Sequence, residues 1–449
     1  MEFSCAKVPV PLDYSKPNGT TIDLFVVKAH LESQRASDKI GSLLVNPGGP
    51  GASGVNLAAG LVTELSTNVF DHFDLVGFDP RGVGLSAPLQ CISDAQKDNY
   101  NAQDPDVRTA AGRAAARAMS TSINRGCVLR YGKGLTDYNT EETARDMDVI
   151  RAAVGDAKLN YLGYSYGTRL GAAYAHLFPT KIRVAVLDGA LDPVTPEIDT
   201  DERQAQGFEN AFDQFAADCL KRAPCAVLGN PRAAVTKLIK SADAAPLKSS
   251  ANNETRRATG GIVTIAVASA LYDQSRWDSL GQALVAAQKG DAKEILALAD
   301  AYTGRDADTG HYSNMMDANL AINCNDSKLK ITDALVAAKA ASWVAKYPIF
   351  GMNAAATLYA CVDWPASGHP LPAASAPAAP PILVVGTIHD PATPYAATGI
   401  LAKALGSGVV LSWNGEGHTA YPKTACVTDK VNSYLITAKV PTASSCPAG

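Results

Sequence analysis

Apolar positions along this chain recur with two spacings, and the order in which the spacings alternate predicts the architecture. Near the start, "AKVPVPLDY" and "TIDLFVVKAH" alternate on either side of "KPNGT", the pattern of two strands joined by a turn. "GSLLVNPGGPGASG" and "FDLVGFDPRGVGLS" are unbroken apolar runs that end in glycine-rich loops, as strands buried on both faces do. In "NTEETARDMDVIRAAVGD" the spacing becomes helical, with Thr140 as the expected N-cap and acids in the first turn. The segment 160–164, "NYLGY", is strand-like again. It gives way almost at once to a helical pattern carrying Leu170, Ala173, Tyr174 and Leu177, which stops at Pro179. "KIRVAVLDGALDP" reads as a further buried strand, so strands and helices alternate as in a mostly parallel sheet covered on both faces.

After Pro193 the pattern stays helical. "ERQAQGFENAFDQFAADCLK" places Phe208, Phe212 and Phe215 on one face, and "AKEILALADAYT" and "ITDALVAAKAASWVAKY" repeat the theme. The proline- and alanine-rich stretch 365–381 reads as a linker, after which "PILVVGTIHDPATPY" and "GVVLSWNGEGHTAY" return to sheet character. The expected organisation is therefore a core over 1–193, a helical insertion over 194–378, and the remainder of the core over 379–449.

Composition narrows the class without fixing it. Over 449 residues, 47% apolar and 19% charged is ordinary for a globular chain, and a formal net charge of -4 supplies no basic field for nucleic acid. No apolar run reaches membrane-spanning length. The opening "MEFSCAKVPVPLDY" has neither a basic nor an apolar leader segment, so the expected location rests on the nine cysteines instead. Cys219 with Cys225, Cys324 with Cys361 and Cys426 with Cys446 are the expected disulfides, which favours an oxidising, extracytoplasmic setting. One of Cys5, Cys91 and Cys127 must remain free, and Cys5 with Cys91 is the expected pair. Nothing in the cysteine and histidine spacing suggests a metal site, and no cofactor is expected.

The strand-to-helix junction at 163–167 carries the chemistry. Gly163-x-Ser165-x-Gly167 is the string expected where a serine is held in a strained bend beside a helix N-terminus. A serine hydroxyl becomes nucleophilic only when an imidazole removes its proton and a buried carboxylate orients that imidazole. Asp390 closes the strand "PILVVGTIH" and His418 follows "VVLSWNGEG" one strand later, in the chain order Ser, Asp, His. His389 adjoins the acid and is expected to point elsewhere, and Glu416 and Asp429 are weaker choices for the carboxylate. The loop Asn46 to Gly54 supplies an oxyanion site: Gly48 and Gly49 are expected to donate N–H groups together with Tyr166. A phosphate-binding reading of that loop fails because no Gly-Lys-Ser or Gly-Lys-Thr follows. Asp79 and Arg81, in the "DPRGVG" loop, are expected to be structural.

Taken together, "VPLDYSKP", "NPGGPGASG", "FDLVGFDPRGVGLS", "LGYSYGTRLGAAYA", "VLDGALDP", "AINCND" and "HDPATPY" give the chain a strong resemblance to the secreted tripeptidyl aminopeptidases of actinobacteria. These are α/β-hydrolases related to proline iminopeptidase, a family that extends to mycobacterial cell-envelope serine proteases. The resemblance implies an α/β-hydrolase fold with a mostly parallel central sheet and an inserted helical cap, secretion or attachment to the cell envelope, disulfides, and release of di- or tripeptides from the free N-termini of peptides or proteins. An exopeptidase of this kind needs acids to pair the substrate ammonium. Asp326, Asp201, Glu202 and Glu209 are the candidates. A monomer is expected, and a carboxylesterase using the same Ser165, Asp390 and His418 is the alternative activity.

Overall fold

The computed structural model describes residues 1–222, 225–252, 254–366 and 371–448. Residues 367–370, within the expected linker, lie outside them.

The apolar runs become a nine-stranded sheet. Its strands are β1 (Glu2–Pro11), β2 (Thr21–His30), β3 (Gly41–Asn46), β4 (Phe73–Phe78), β5 (Leu159–Tyr164), β6 (Ile182–Asp188), β7 (Ile382–His389), β8 (Gly408–Glu416) and the short β9 (Ser445–Cys446). In space they are ordered β1-β2-β4-β3-β5-β6-β7-β8-β9. Every residue of β3, β4 and β5 is buried, because helices cover both faces there. The first two strands pair antiparallel, with Pro11 opposite Thr21, and β2 also runs antiparallel to β4; all later pairings are parallel.

The chain lays β4 on one side of β3 and then crosses to lay β5 on the other. Loops leaving the ends of β3 and β5 are thus side by side, with Asn46 in register with Gly163. This reversal of strand order is where a crevice opens at the carboxyl edge of such a sheet. One face is packed by the helices Thr140–Ala153, Tyr166–Leu177 and Ala396–Leu405 through residues such as Met147, Ile150, Leu170, Tyr174 and Leu401. The helices Gly54–Glu64 and Ala425–Thr437 cover the other through Leu61, Val427 and Leu435.

Between β6 and β7 the described chain is helical apart from a two-residue ladder. Its helices bury their own apolar core, in which Phe208, Phe212 and Phe215 meet Val263, Val267, Trp277 and Leu280. A second contribution to this layer is not evident from the sequence pattern. The segment after β4 forms the helices Asp94–Asn101 and Ala110–Tyr131, and Val107 and Ala116 pack with Val336, Ala340 and Trp343. A buried ion pair, Lys97 to Asp317 at 2.6 Å, fastens the two parts.

Two local expectations need correction. Asn139, not Thr140, is the N-cap of Thr140–Ala153, its side chain accepting from the Glu142 N–H; Thr140 turns its hydroxyl elsewhere. Cys91 pairs with Cys127 rather than Cys5, because the helix Ala110–Tyr131 returns to bury Cys127 against the Cys91 loop. Cys5, on the outer strand, is an exposed free thiol. The three other disulfides join Cys219 to Cys225, Cys324 to Cys361 and Cys426 to Cys446.

Candidate active site

Strand β5 ends at Tyr164, and the helix Tyr166–Leu177 begins two residues later, which leaves Ser165 at φ 55°, ψ -121°. A non-glycine residue so placed is strained and is kept there only by its surroundings. Its N–H donates to the Asp188 carbonyl at 2.8 Å and its carbonyl accepts from Thr168 N–H at 2.8 Å. The flanking glycines answer crowding: a Cβ on Gly163 would lie 2.5 Å from the Gly167 carbonyl oxygen, and one on Gly167 would meet the Asn46 carbonyl at 3.0 Å.

The loop after β3 presses against this bend. A Cβ on Gly48 would fall 2.8 Å from Ser165 Cβ and 2.9 Å from Tyr166 N, and Gly48 has φ +92°. Its own N–H is taken, since Asn46 folds its carboxamide back to accept it at 2.9 Å. Of the expected oxyanion donors, Gly48 is therefore already committed. The N–H groups of Gly49 and Tyr166 have no acceptor among the described residues. Asp79 braces the loop by accepting from Ser53 Oγ at 2.5 Å and Leu85 N–H at 2.9 Å. We expect Gly48→Ala to slow covalent labelling of Ser165 by a fluorophosphonate at least about tenfold, because backbone rather than a mobile side chain occupies the space. Pseudo-first-order labelling rates check this.

Because β7 and β8 are neighbours, the loops at their ends bring Asp390 and His418 together. His418 Nδ1 lies 3.0 and 2.9 Å from the two Asp390 carboxylate oxygens. Asp390 also accepts from the N–H groups of Ala392, Thr393 and Thr419 and from Thr393 Oγ1. Burial alone would raise this carboxyl, but the imidazole and these donors hold it below the usual carboxylate range. Thr393 Oγ1 stands 3.3 Å from His418 Nδ1 as well. The far nitrogen, Nε2, is buried without a partner among the described residues.

The Asp188–Gly189 dipeptide joins the two halves. Asp188 receives the Ser165 N–H on its carbonyl, and a Cβ on Gly189 would lie 3.2 Å from His418 Cε1. Serine and imidazole thus flank the same short segment. The Asp188 carboxylate accepts from Ala420 and Tyr421 N–H, so it also fixes the loop that carries His418. Burial raises that carboxyl to about 6, against the pull of those donors and of His418. Sequence reading did not single out Asp188 or Thr393, for which Asp-Gly and Asp-Pro-Ala-Thr suggest only turns.

The competing groups lie apart. His389 turns its Nδ1 to Glu416, 2.7 Å away, and Asp429 is exposed on the helix Ala425–Thr437. Among the acids expected to receive an ammonium, Glu209 is committed inside the helical layer, accepting from Ile349 and Phe350 N–H and pairing with Arg232. Glu202 pairs with Lys346 and Lys339. Asp326 accepts from Thr140 N–H at 3.1 Å and Thr140 Oγ1 at 2.5 Å, and that hydroxyl also meets the Tyr166 phenol. Burial brings its carboxyl up to about 6. Asp201 has no hydrogen-bond or ion-pair partner among the described residues; burial, with Glu197 nearby and only partly offset by Arg169, raises it to about 7.

The sheet order and the strained serine bend at the end of β5 are those of an α/β-hydrolase, and the chain belongs to that family: residues 41–423 match the model of the alpha/beta hydrolase fold. It is 38% identical to the serine protease Hip1 of Mycobacterium tuberculosis, covering 97% of this chain and 86% of the relative. It is 40% identical to carboxylesterase B of the same species, over 98% and 85% of the two chains. Against the tripeptidyl aminopeptidase of Streptomyces lividans the identity is 32%, over 97% and 82%.

Proposed function

We propose that this protein is a serine peptidase that removes di- or tripeptides from free N-termini, with Ser165, His418 and Asp390 as its triad. The observation that carries the reading is the His418 imidazole, fixed at Nδ1 by a buried carboxylate while Nε2 is left without a partner beside the segment that holds Ser165. With Nδ1 occupied as a donor, Nε2 carries the lone pair that accepts the serine proton. Ser165 Oγ then attacks the peptide carbonyl, and the resulting oxyanion is met by the N–H groups of Gly49 and Tyr166. Tyr166 N–H also opens the helix Tyr166–Leu177, so the positive end of that helix faces the new charge. His418, now protonated, gives its proton to the departing amine, and water hydrolyses the acyl-enzyme by the same steps in reverse roles.

Asp201 is the anchor for the substrate ammonium, because it is the candidate acid whose oxygens are not already committed. Lying on the helix Glu197–Cys219, it belongs to a cap over 194–378. The free enzyme needs this carboxylate ionised, and a peptide α-amine of pKa about 8 must be protonated. Preference for a free-amine tripeptide anilide over its N-acetylated form should therefore be greatest between about 7 and about 8. Below that window Asp201 takes a proton; above it the amine loses one. Asp201→Asn should erase the preference at every pH, and kcat/KM measured for both anilides from pH 5 to 9 decides.

An esterase is the second reading, favoured by the likeness to carboxylesterase B. Faster turnover of a nitrophenyl ester, with no preference for an unblocked amine, would select it. Four disulfides fit an oxidising environment, so the site of action is outside the cytoplasm or at the cell envelope. No helix among the described residues is long and apolar enough to cross a membrane. The working unit is a monomer.

A further inference from the structure

Most contacts that fix the His418 ring come from core loops: Asp390, Thr393 and Gly189. One comes from the helical layer above. Tyr272 caps the C-terminus of the buried helix Gly260–Leu271, and its carbonyl is among the acceptors that such an end leaves without intrahelical partners. The His418 N–H fills it at 2.8 Å. The Tyr272 ring stands edge-on to the imidazole, with centroids 5.2 Å apart and planes at 85°. Behind it the ring is backed by Phe208, at 5.7 Å, and by Tyr302, at 5.6 Å, so the insertion's own core sets its position. On its other side the His418 carbonyl accepts from Lys423 Nζ at 2.8 Å.

A carboxylate at Nδ1 fixes one point of the imidazole but leaves the ring free to rock about that contact. A second ring packed at right angles against the imidazole restricts this freedom, and an acceptor on the histidine N–H fixes the backbone from which the ring hangs. The negative end of the helix dipole, brought to the same place, favours the protonated imidazole that forms during acyl transfer.

We propose that Tyr272 is a positioning residue for His418, clamping the imidazole by main chain and ring so that the triad is in register only while the helical insertion is seated on the core. Resting on the triad reading above, the inference adds a second role for the insertion: besides holding substrate it completes the geometry of the base.

Fluorophosphonate labelling is suited to the test, because the probe needs the serine and its base but no amine anchor. Tyr272→Ala and Tyr272→Leu, the latter keeping apolar bulk, should each label roughly 10- to 100-fold more slowly than the parent. For a nitrophenyl ester kcat should fall in parallel while KM moves by less than about threefold. Tyr272→Phe, which retains the ring and the carbonyl, should stay within about threefold of the parent. In proton NMR the low-field resonance of His418 Nδ1–H should broaden in the alanine and leucine variants and persist in the phenylalanine variant. Parental labelling rates in Tyr272→Ala and Tyr272→Leu would overturn the clamp, as would a phenylalanine variant as slow as the alanine one. Ser165→Ala separates the two claims. If it is inert, those outcomes fall on the clamp alone; if it still labels, the triad fails and the clamp with it.

Discussion

Replacing Ser165 by alanine is expected to lower kcat by about a million-fold, and His418→Ala by about as much, since in the proposed mechanism each removes a member of one proton-transfer unit. The double variant should lose little more than either alone, because a serine without its base and a base without its serine are equally idle. Asp390→Asn is expected to cost about ten-thousand-fold. The asparagine amide would donate toward Nδ1, favouring the tautomer with its proton on Nε2, the nitrogen that must accept. Residual turnover, supported by the oxyanion donors and binding alone, should remain measurable above the uncatalysed rate. Single-turnover kinetics on an activated ester, with circular dichroism to confirm the fold, would check all three values. Wild-type turnover in Ser165→Ala would refute the mechanism.

The second large effect falls on stability. Arg81 is fully buried, and all five of its donors are filled: Nε and Nη2 grip Asp146 at 2.7 Å each, and the other N–H groups reach the carbonyls of Pro11, Leu12 and Asp137. One guanidinium thereby ties the first hairpin, the loop after β4 and the helix Thr140–Ala153 together. Arg81→Met would leave the buried Asp146 without its cation and three carbonyls without donors. A loss of about 3–5 kcal/mol is expected, a large part of the margin by which a domain stays folded. Denaturant titration of the parent and variant would measure it. Arg81→Lys should be only a partial rescue, because an ammonium has three donors and no planar fork to match the carboxylate. A shift under about 1 kcal/mol in Arg81→Met would show that the network relaxes around the gap.

What could be read before the fold was known depended on how local its cause is. The bend at Ser165 was legible because a buried strand, two glycines and an apolar helical stripe all lie within twenty residues. The short disulfides Cys219–Cys225 and Cys426–Cys446 were legible for a similar reason. The partner of Cys91 is not legible in this way, because the choice between Cys5 and Cys127 depends on a helix whose packing has no short-range signal. Four acids looked alike as ammonium ligands, since each sits in a helical segment. Only packing separates Glu209, filled by two backbone N–H groups and Arg232, from Asp201, which lacks such partners.

By itself the sequence determined the alternation of strands and helices and the glycine-rich turns, because hydrophobic period and backbone sterics act over a few residues. Tertiary structure alone decided which distant loops meet: that Asp188 spans from the serine to the histidine loop, and that Tyr272 descends from the helical layer onto the imidazole. Those contacts join segments far apart in the chain. Their energies exist only once the sheet order has brought the loop ends to one edge, and no local pattern of residues encodes that distance.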